Sequence, residues 1–177
     1  MVSDIEIPSF NRDWSWGVSI YELKHSFGNY LAKLPAHMPV HSFKELIQFN
    51  NNNPEKTLKY GQDKLEYREG LPNTLRNPEY LMARLEDLYF SQEQGIDFAI
   101  KKYRLDAILF PSYVGSTISA KAGYPSIALP AGYLKNGRPF GITFAGTAFS
   151  EGALIKVAYS FEQATKHRRT PSIELTE

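Results

Sequence analysis

Cysteine is absent from the 177 residues. That excludes disulfides, thiolate nucleophiles and cysteine-ligated zinc, and it suits a reducing compartment. An excess of one charge is also lacking. Lys and Arg number 20 against 19 acidic residues, so the net charge of +1 leaves no electrostatic footprint for nucleic acid or an anionic membrane. No apolar stretch approaches the roughly 20 residues that a bilayer span needs. Residues 1–30 show no basic start followed by an apolar run, because Asp4, Glu6, Arg12 and Asp13 interrupt it. No signal peptide is expected, and a soluble, cytoplasmic chain is. Familiar catalytic signatures are missing as well: there is no HExxH, GxSxG, GxGxxG or P-loop. His25, His37, His41 and His167 lack metal-site spacing, and Pro39 keeps His37 and His41 from sharing a helical face. No metal and no cofactor are expected.

What is present supports a packed core, since 42% of the residues are hydrophobic and 14% aromatic, too many for disorder to be the default. Val2–Ile7 alternates weakly and reads as a short strand ended by Pro8. Ile20, Leu23, Phe27, Tyr30, Leu31 and Leu34 recur at spacings of three and four, which predicts an amphipathic helix within Ser15–Leu34. Ser42 and Glu45 have the form of a capping box opening a helix to about Phe49, with a polar loop over Asn50–Pro54. Short surface helices are expected over Glu55–Gly70. Asn77–Pro78 then starts a long helix running to Arg104, with Glu86, Asp87 and Glu93 on a solvated face.

The pattern changes after Arg104. Asp106–Phe110 and Ser126–Leu129 read as strands buried on both faces. Asn136–Gly137 is a hairpin signal whose two-residue turn needs positive φ at both positions. It joins Gly132–Lys135 to Phe140–Ala145. Ser150 caps a closing helix that buries Leu154, Val157, Ala158 and Phe161. The fold class is therefore mixed α/β: residues 1–104 mainly helical, then residues 105–177 forming a sheet with a closing helix.

The second half carries a series of short motifs in fixed order: DAILFP at Asp106–Pro111, AGYPSIALPAG at Ala122–Gly132, PFG at Pro139–Gly141 and ITFAG at Ile142–Gly146. Ser150-Glu151, Leu154, FEQ at Phe161–Gln163 and RRTP at Arg168–Pro171 complete it. In order and spacing this resembles the C-terminal end of amidase-signature hydrolases. The first half is a looser match to the helical region before that end. The resemblance implies one amidase domain, here incomplete, with a mixed sheet wrapped in helices. It implies hydrolysis of linear carbon–nitrogen amide bonds by a Ser nucleophile, a second Ser on a cis peptide and a Lys. Backbone N–H groups of a Gly/Ser-rich loop supply the oxyanion hole in that family. No such loop occurs among these 177 residues. The expectation is that the family's active centre lies before Met1, that no catalytic residue is present, and that the chain alone is inactive.

One local constellation competes with that expectation. Ser116, Ser119 and Lys121 follow the strand ending at Phe110, and acyl transfer needs a hydroxyl, a base and oxyanion donors. The segment lacks the glycines that free backbone donors, and nothing near Lys121 suggests a lowered pKa. The same loop is the better candidate for substrate binding, because ligands of α/β proteins sit outside the carboxyl ends of strands. Ser112, Tyr113, Ser116 and Thr117 are the candidate lining of an acyl pocket. Expected partners are the rest of an amidase chain or a second copy, and a small-molecule amide. Two alternatives remain: a stand-alone assembly module, and a segment like the ammonia-supplying subunit of a tRNA-dependent amidotransferase.

Overall fold

The computed structural model describes residues 1–171, so the last six positions of the sheet-forming segment lie outside the described residues. The chain divides into two compact units: Ser15–Glu86, and Met1–Trp14 together with the residues from Asp87 onward.

The Ser15–Glu86 unit is helical. α1 spans Gly17–Leu31, α2 Phe43–Asn52, α3 Pro54–Thr57 and α4 Asp63–Glu69, and α5 begins at Pro78 and runs to Leu88. α1 buries Tyr21 and Leu31, and α2 buries Phe43. The Tyr21 and Tyr80 rings meet edge to face at 6.1 Å. Their hydroxyls donate crosswise, Tyr21 to Glu79 Oε2 at 2.7 Å and Tyr80 to Glu22 Oε1 at 2.9 Å. Ser42 caps α2, its Oγ accepting from Glu45 N at 3.1 Å, while Glu45 Oε2 accepts from His41 N at 2.7 Å. α2 extends through the asparagine run because side chains cover its last carbonyls: Thr57 Oγ1 donates to Asn50 O and Asn53 Nδ2 to Phe49 O. The expected polar loop is reduced to Asn53.

The expected long helix is broken into three windings, of which the second and third belong to the other unit. α5 passes into a π-helical segment, Tyr89–Ile96, and then into α6, Asp97–Tyr103. The break is at Gly95, with φ −120° and ψ −116°. A Cβ there would lie 2.7 Å from Phe90 O and 3.1 Å from Ile118 Cδ1, so only glycine fits. Val2–Ile7 forms no strand. Ile5 and Ile7 pack against the core instead, and Ser9 N donates to Gln94 O at 3.1 Å.

β1 (Ile108–Pro111), α7 (Ser116–Ala122), β2 (Ser126–Tyr133), β3 (Pro139–Ala145) and α8 (Glu151–Thr165) follow. The sheet is antiparallel throughout, in the order β1-β3-β2, with Ile108 opposite Ala145 and Ile127 opposite Phe144. Burial on both faces falls on β3, the central strand, rather than on β1 and β2, which alternate between covered and open positions. One face of β3 gives Ile142 and Phe144 to a cluster with Leu154 of α8. The other gives Ala145 to a core with Ile96, Ile108, Phe110 and Ile118. β2 absorbs both of the strands expected before the hairpin and shifts register between Pro130 and Gly132. The hairpin turn also differs from expectation. Gly137 has φ +80° but Asn136 is not left-handed. Gly137 N donates to Leu134 O at 2.9 Å and Leu134 N to Arg138 O at 2.8 Å, the pattern of a three-residue loop closed by a glycine. Ser150 does not cap α8 with its side chain; its Oγ donates to Thr147 O at 2.7 Å.

Candidate functional site

The turn from β1 into α7 is built by three constraints. Ser112 sits at φ +51°, its N–H donating to Gly141 O at 2.8 Å and its carbonyl accepting from Thr143 Oγ1 at 2.6 Å. Gly115 lies against the buried Phe110 ring, where a Cβ would come within 2.2 Å of Cδ2. Ser116 N donates to Tyr113 O at 2.9 Å and so starts α7. The backbone is pinned, yet Tyr113 is 78% exposed and Val114 beside it is also exposed. Ser116 is exposed, and Ser112 and Thr117 are half-buried. All four candidate lining residues thus belong to one turn at the carboxyl end of β1.

The structure assigns the other polar groups of this segment to architecture. Ser119 is fully buried in α7, and its hydroxyl donates to Gly115 O at 2.9 Å, one helical turn back. Lys121 Nζ lies 2.7 Å from Asp87 Oδ2, with the two side chains 12% and 6% exposed. Asp87 is therefore not on a solvated face as its sequence context suggests, since α7 packs over it. Gln92 Nε2 donates to Ala122 O at 2.8 Å and covers a carbonyl at the end of α7. Asp87 and Gln92 are five residues apart. The π segment that begins at Tyr89 is wound more widely than an α-helix, with i to i+5 hydrogen bonds, and this brings Gln92 nearer the face of Asp87 than α-helical spacing would. Ser91 Oγ, between them, donates to Asp87 O at 2.5 Å. None of these roles is visible in the sequence, whose spacing here reads as α-helical.

Just past α7, Tyr124 donates to Asp97 Oδ2 at 2.9 Å. Burial, and secondarily this bond to a carboxylate, pushes the Tyr124 hydroxyl up to about 12. A raised tyrosine pKa favours the neutral form in the folded chain. The stability it contributes is complete below the unfolded value near 10 and is lost as pH rises toward 12. Alkaline unfolding followed by circular dichroism should therefore steepen over this window, and Tyr124→Phe should flatten it. A variant with an unchanged alkaline profile would exclude this linkage. The bonds from Tyr21 to Glu79 and from Tyr80 to Glu22 raise those hydroxyls too, so some alkaline dependence persists in the variant.

Among the described residues, no helix is long and apolar enough to cross a membrane. No protein-family model matches the chain. An Arabidopsis thaliana protein named as a probable amidase is 35% identical over 152 residues, covering 85% of this chain and 29% of the relative. The crystal structure of the peptide amidase from Stenotrophomonas maltophilia matches with a TM-score of 0.79 and 32% identity, over 88% of this chain and 34% of that one. An amidase family protein from Bacillus anthracis matches with a TM-score of 0.83 and 30% identity, over 97% of this chain and 33% of that one. The chain spans about a third of the length of these relatives. The motif series of the second half, the fold around β3 and these likenesses agree: the homologues of this chain are amidases of the amidase-signature family, and it matches a C-terminal-like part of them.

Proposed function

We propose that this chain supplies sheet scaffold and one wall of the substrate cleft to an amide hydrolase acting on linear carbon–nitrogen amide bonds. The attacking hydroxyl, the base and the oxyanion donors come from outside these 177 residues. The turn Ser112–Thr117 lines the acyl pocket, with Tyr113 as its largest contact and the hydroxyls of Ser112, Ser116 and Thr117 as polar contacts. The observation that carries this reading is the pairing of a pinned backbone with an open side chain. Tyr113 is 78% exposed on a turn fixed by Thr143, Gly141 and Gly115, in a chain similar to amidases. Rigid presentation of an unsatisfied aromatic surface suits ligand binding better than solvent. The commitment of Ser119 to Gly115 O and of Lys121 to Asp87 supports placing the chemistry elsewhere.

Docking to the rest of an amidase chain is supported by β1. It stands at the edge of the sheet, and beside it runs a groove of about 390 Å³ lined by Ile5, Ile7, Phe10 and Ile108–Phe110. An extended strand laid along that edge would pair with its free backbone groups and cover the groove. A second copy of the chain is the competing occupant.

Given simple aliphatic and aromatic amides, the chain alone should release no ammonia. Joined to the N-terminal portion of the peptide amidase from Stenotrophomonas maltophilia, it should restore release, and Tyr113→Ala in that hybrid should raise KM about tenfold. Unchanged kinetics would remove the pocket assignment. Ammonia release by the unjoined chain, abolished by Ser116→Ala, would overturn the division of labour.

A further inference from the structure

A second concave site lies away from the β1–α7 turn, where the β2–β3 hairpin meets the end of α8. It encloses about 530 Å³, and its lining includes Gly132, Tyr133, Thr165, Lys166, His167 and Arg169. No acidic side chain lines it among the described residues. The chain as a whole is nearly neutral, so three basic side chains facing one cavity is a local departure from its composition.

The helix dipole accounts for only part of this. Its pull on cations fades beyond the last turn. Lys166 ends α8 in a left-handed conformation, φ +48°, which turns the following residues away from the helix axis. His167 and Arg169 then lie against aromatic rings rather than helix carbonyls. The His167 ring is 6.2 Å from that of Phe161, and the Arg169 guanidinium stands 5.0 Å over the Tyr133 ring. Contact with a ring face does not use the N–H groups of a guanidinium, and their fork of donors matches the two oxygens of a carboxylate or phosphate. No ion pair to Lys166, His167 or Arg169 is formed among the described residues.

We propose that this cavity binds a compact oxyanion, a carboxylate or a phosphate. Arg169 holds it bidentately, Lys166 supplies a point charge, and Thr165 and Tyr133 shape the polar wall. The site is independent of the acyl pocket and does not rest on hydrolysis.

The test is a titration of the full chain with inorganic phosphate and, separately, with acetate and succinate. Sodium chloride holds ionic strength constant, and binding is followed by calorimetry and backbone amide shifts. Saturable binding is expected, with shifts confined to Ala131–Leu134, Phe140 and Thr165–Arg169. Binding by phosphate alone or by carboxylates alone supports the site and identifies its source. Arg169→Gln should weaken binding about tenfold or more, through loss of the bidentate charge-assisted pair. Lys101→Gln, an exposed charge on α6, should leave it unchanged. Arg169 is exposed and outside every helix and strand, so its replacement leaves the fold intact, which circular dichroism verifies. Shifts that grow linearly without saturation, an equal response to chloride, or undiminished binding in Arg169→Gln would each overturn the proposal. Since binding is read without turnover, its failure leaves the acyl-pocket reading untouched.

Discussion

Gly115→Ala is expected to destabilise the sheet-bearing unit by about 3 kcal/mol, the upper range for forcing atoms into a packed core. The cause is not conformational, because Gly115 sits at φ −79°, which alanine adopts freely. It is steric. The new methyl would lie 2.2, 2.6 and 2.8 Å from Cδ2, Cγ and Cε2 of Phe110. That ring is 3% exposed and stacked on Phe10 at 5.7 Å, so it cannot turn aside without opening the core. Against a total stability of about 5–15 kcal/mol, such a loss is large. Urea denaturation gives the measurement, and Phe110→Leu in the same chain should return part of the loss by vacating the contact. Gly28 provides the contrast. It lies inside α1 with nothing within 4 Å of where a Cβ would stand, so Gly28→Ala should raise stability by about 0.5–1 kcal/mol. Equal effects at the two glycines would show that packing against Phe110 is not the governing term.

The second large effect concerns the ion pair beneath α7. Lys121→Met leaves the Asp87 carboxylate, 6% exposed, without its ammonium partner. Breaking a buried pair from one side costs about 3–5 kcal/mol, because the remaining charge stays desolvated. Replacing both ends with apolar side chains, Asp87→Leu with Lys121→Met, should recover most of the loss, since the attraction in such a pair roughly balances its desolvation. The two single variants and the double variant form a cycle read by denaturant midpoint. A double variant as unstable as the sum of the singles would mean the pair acts independently and is not a unit. The same cycle bears on function. α7 carries Ser116 and Thr117 at its start, so loosening its far end should weaken binding at the proposed acyl pocket, which neither Asp87 nor Lys121 lines.

Some of this is legible in the sequence, and the rest is concealed for identifiable reasons. α1, the cap at Ser42 and the α8 face of Leu154 and Ala158 follow from periodicity and end chemistry, which are local. The mixed α/β class follows from the change from helical to strand patterning after Arg104, and the likeness to amidases from short motifs whose order survives any error about single elements. The π segment is hidden because Leu81, Leu85 and Leu88 fit an α-helical spacing up to the point where the winding changes. Gly95 alone hints at it, and a glycine in a helix has several readings. Asp87 misleads for the same reason: a carboxylate on a charged helix looks solvated until α7 is known to cover it. The hairpin lies where Asn136 and Gly137 place it, but Asn136 stays out of the left-handed region because a third residue, Lys135, joins the loop. Burial on both faces belongs to β3 and not to the strands beside it, since composition cannot say which strand ends up central.

The order β1-β3-β2 also has a temporal side. During synthesis β1 leaves the ribosome before β3, the strand with which it pairs, and α7 and β2 emerge in between. The β2–β3 ribbon closes through a tight local loop, whereas seating β1 requires bringing distant parts of the polypeptide together, at a greater entropic cost. Until that late event, an apolar segment with Ile108 and Phe110 waits unpaired. Such a stretch of the nascent protein is open to mispairing with its neighbours until β3 arrives.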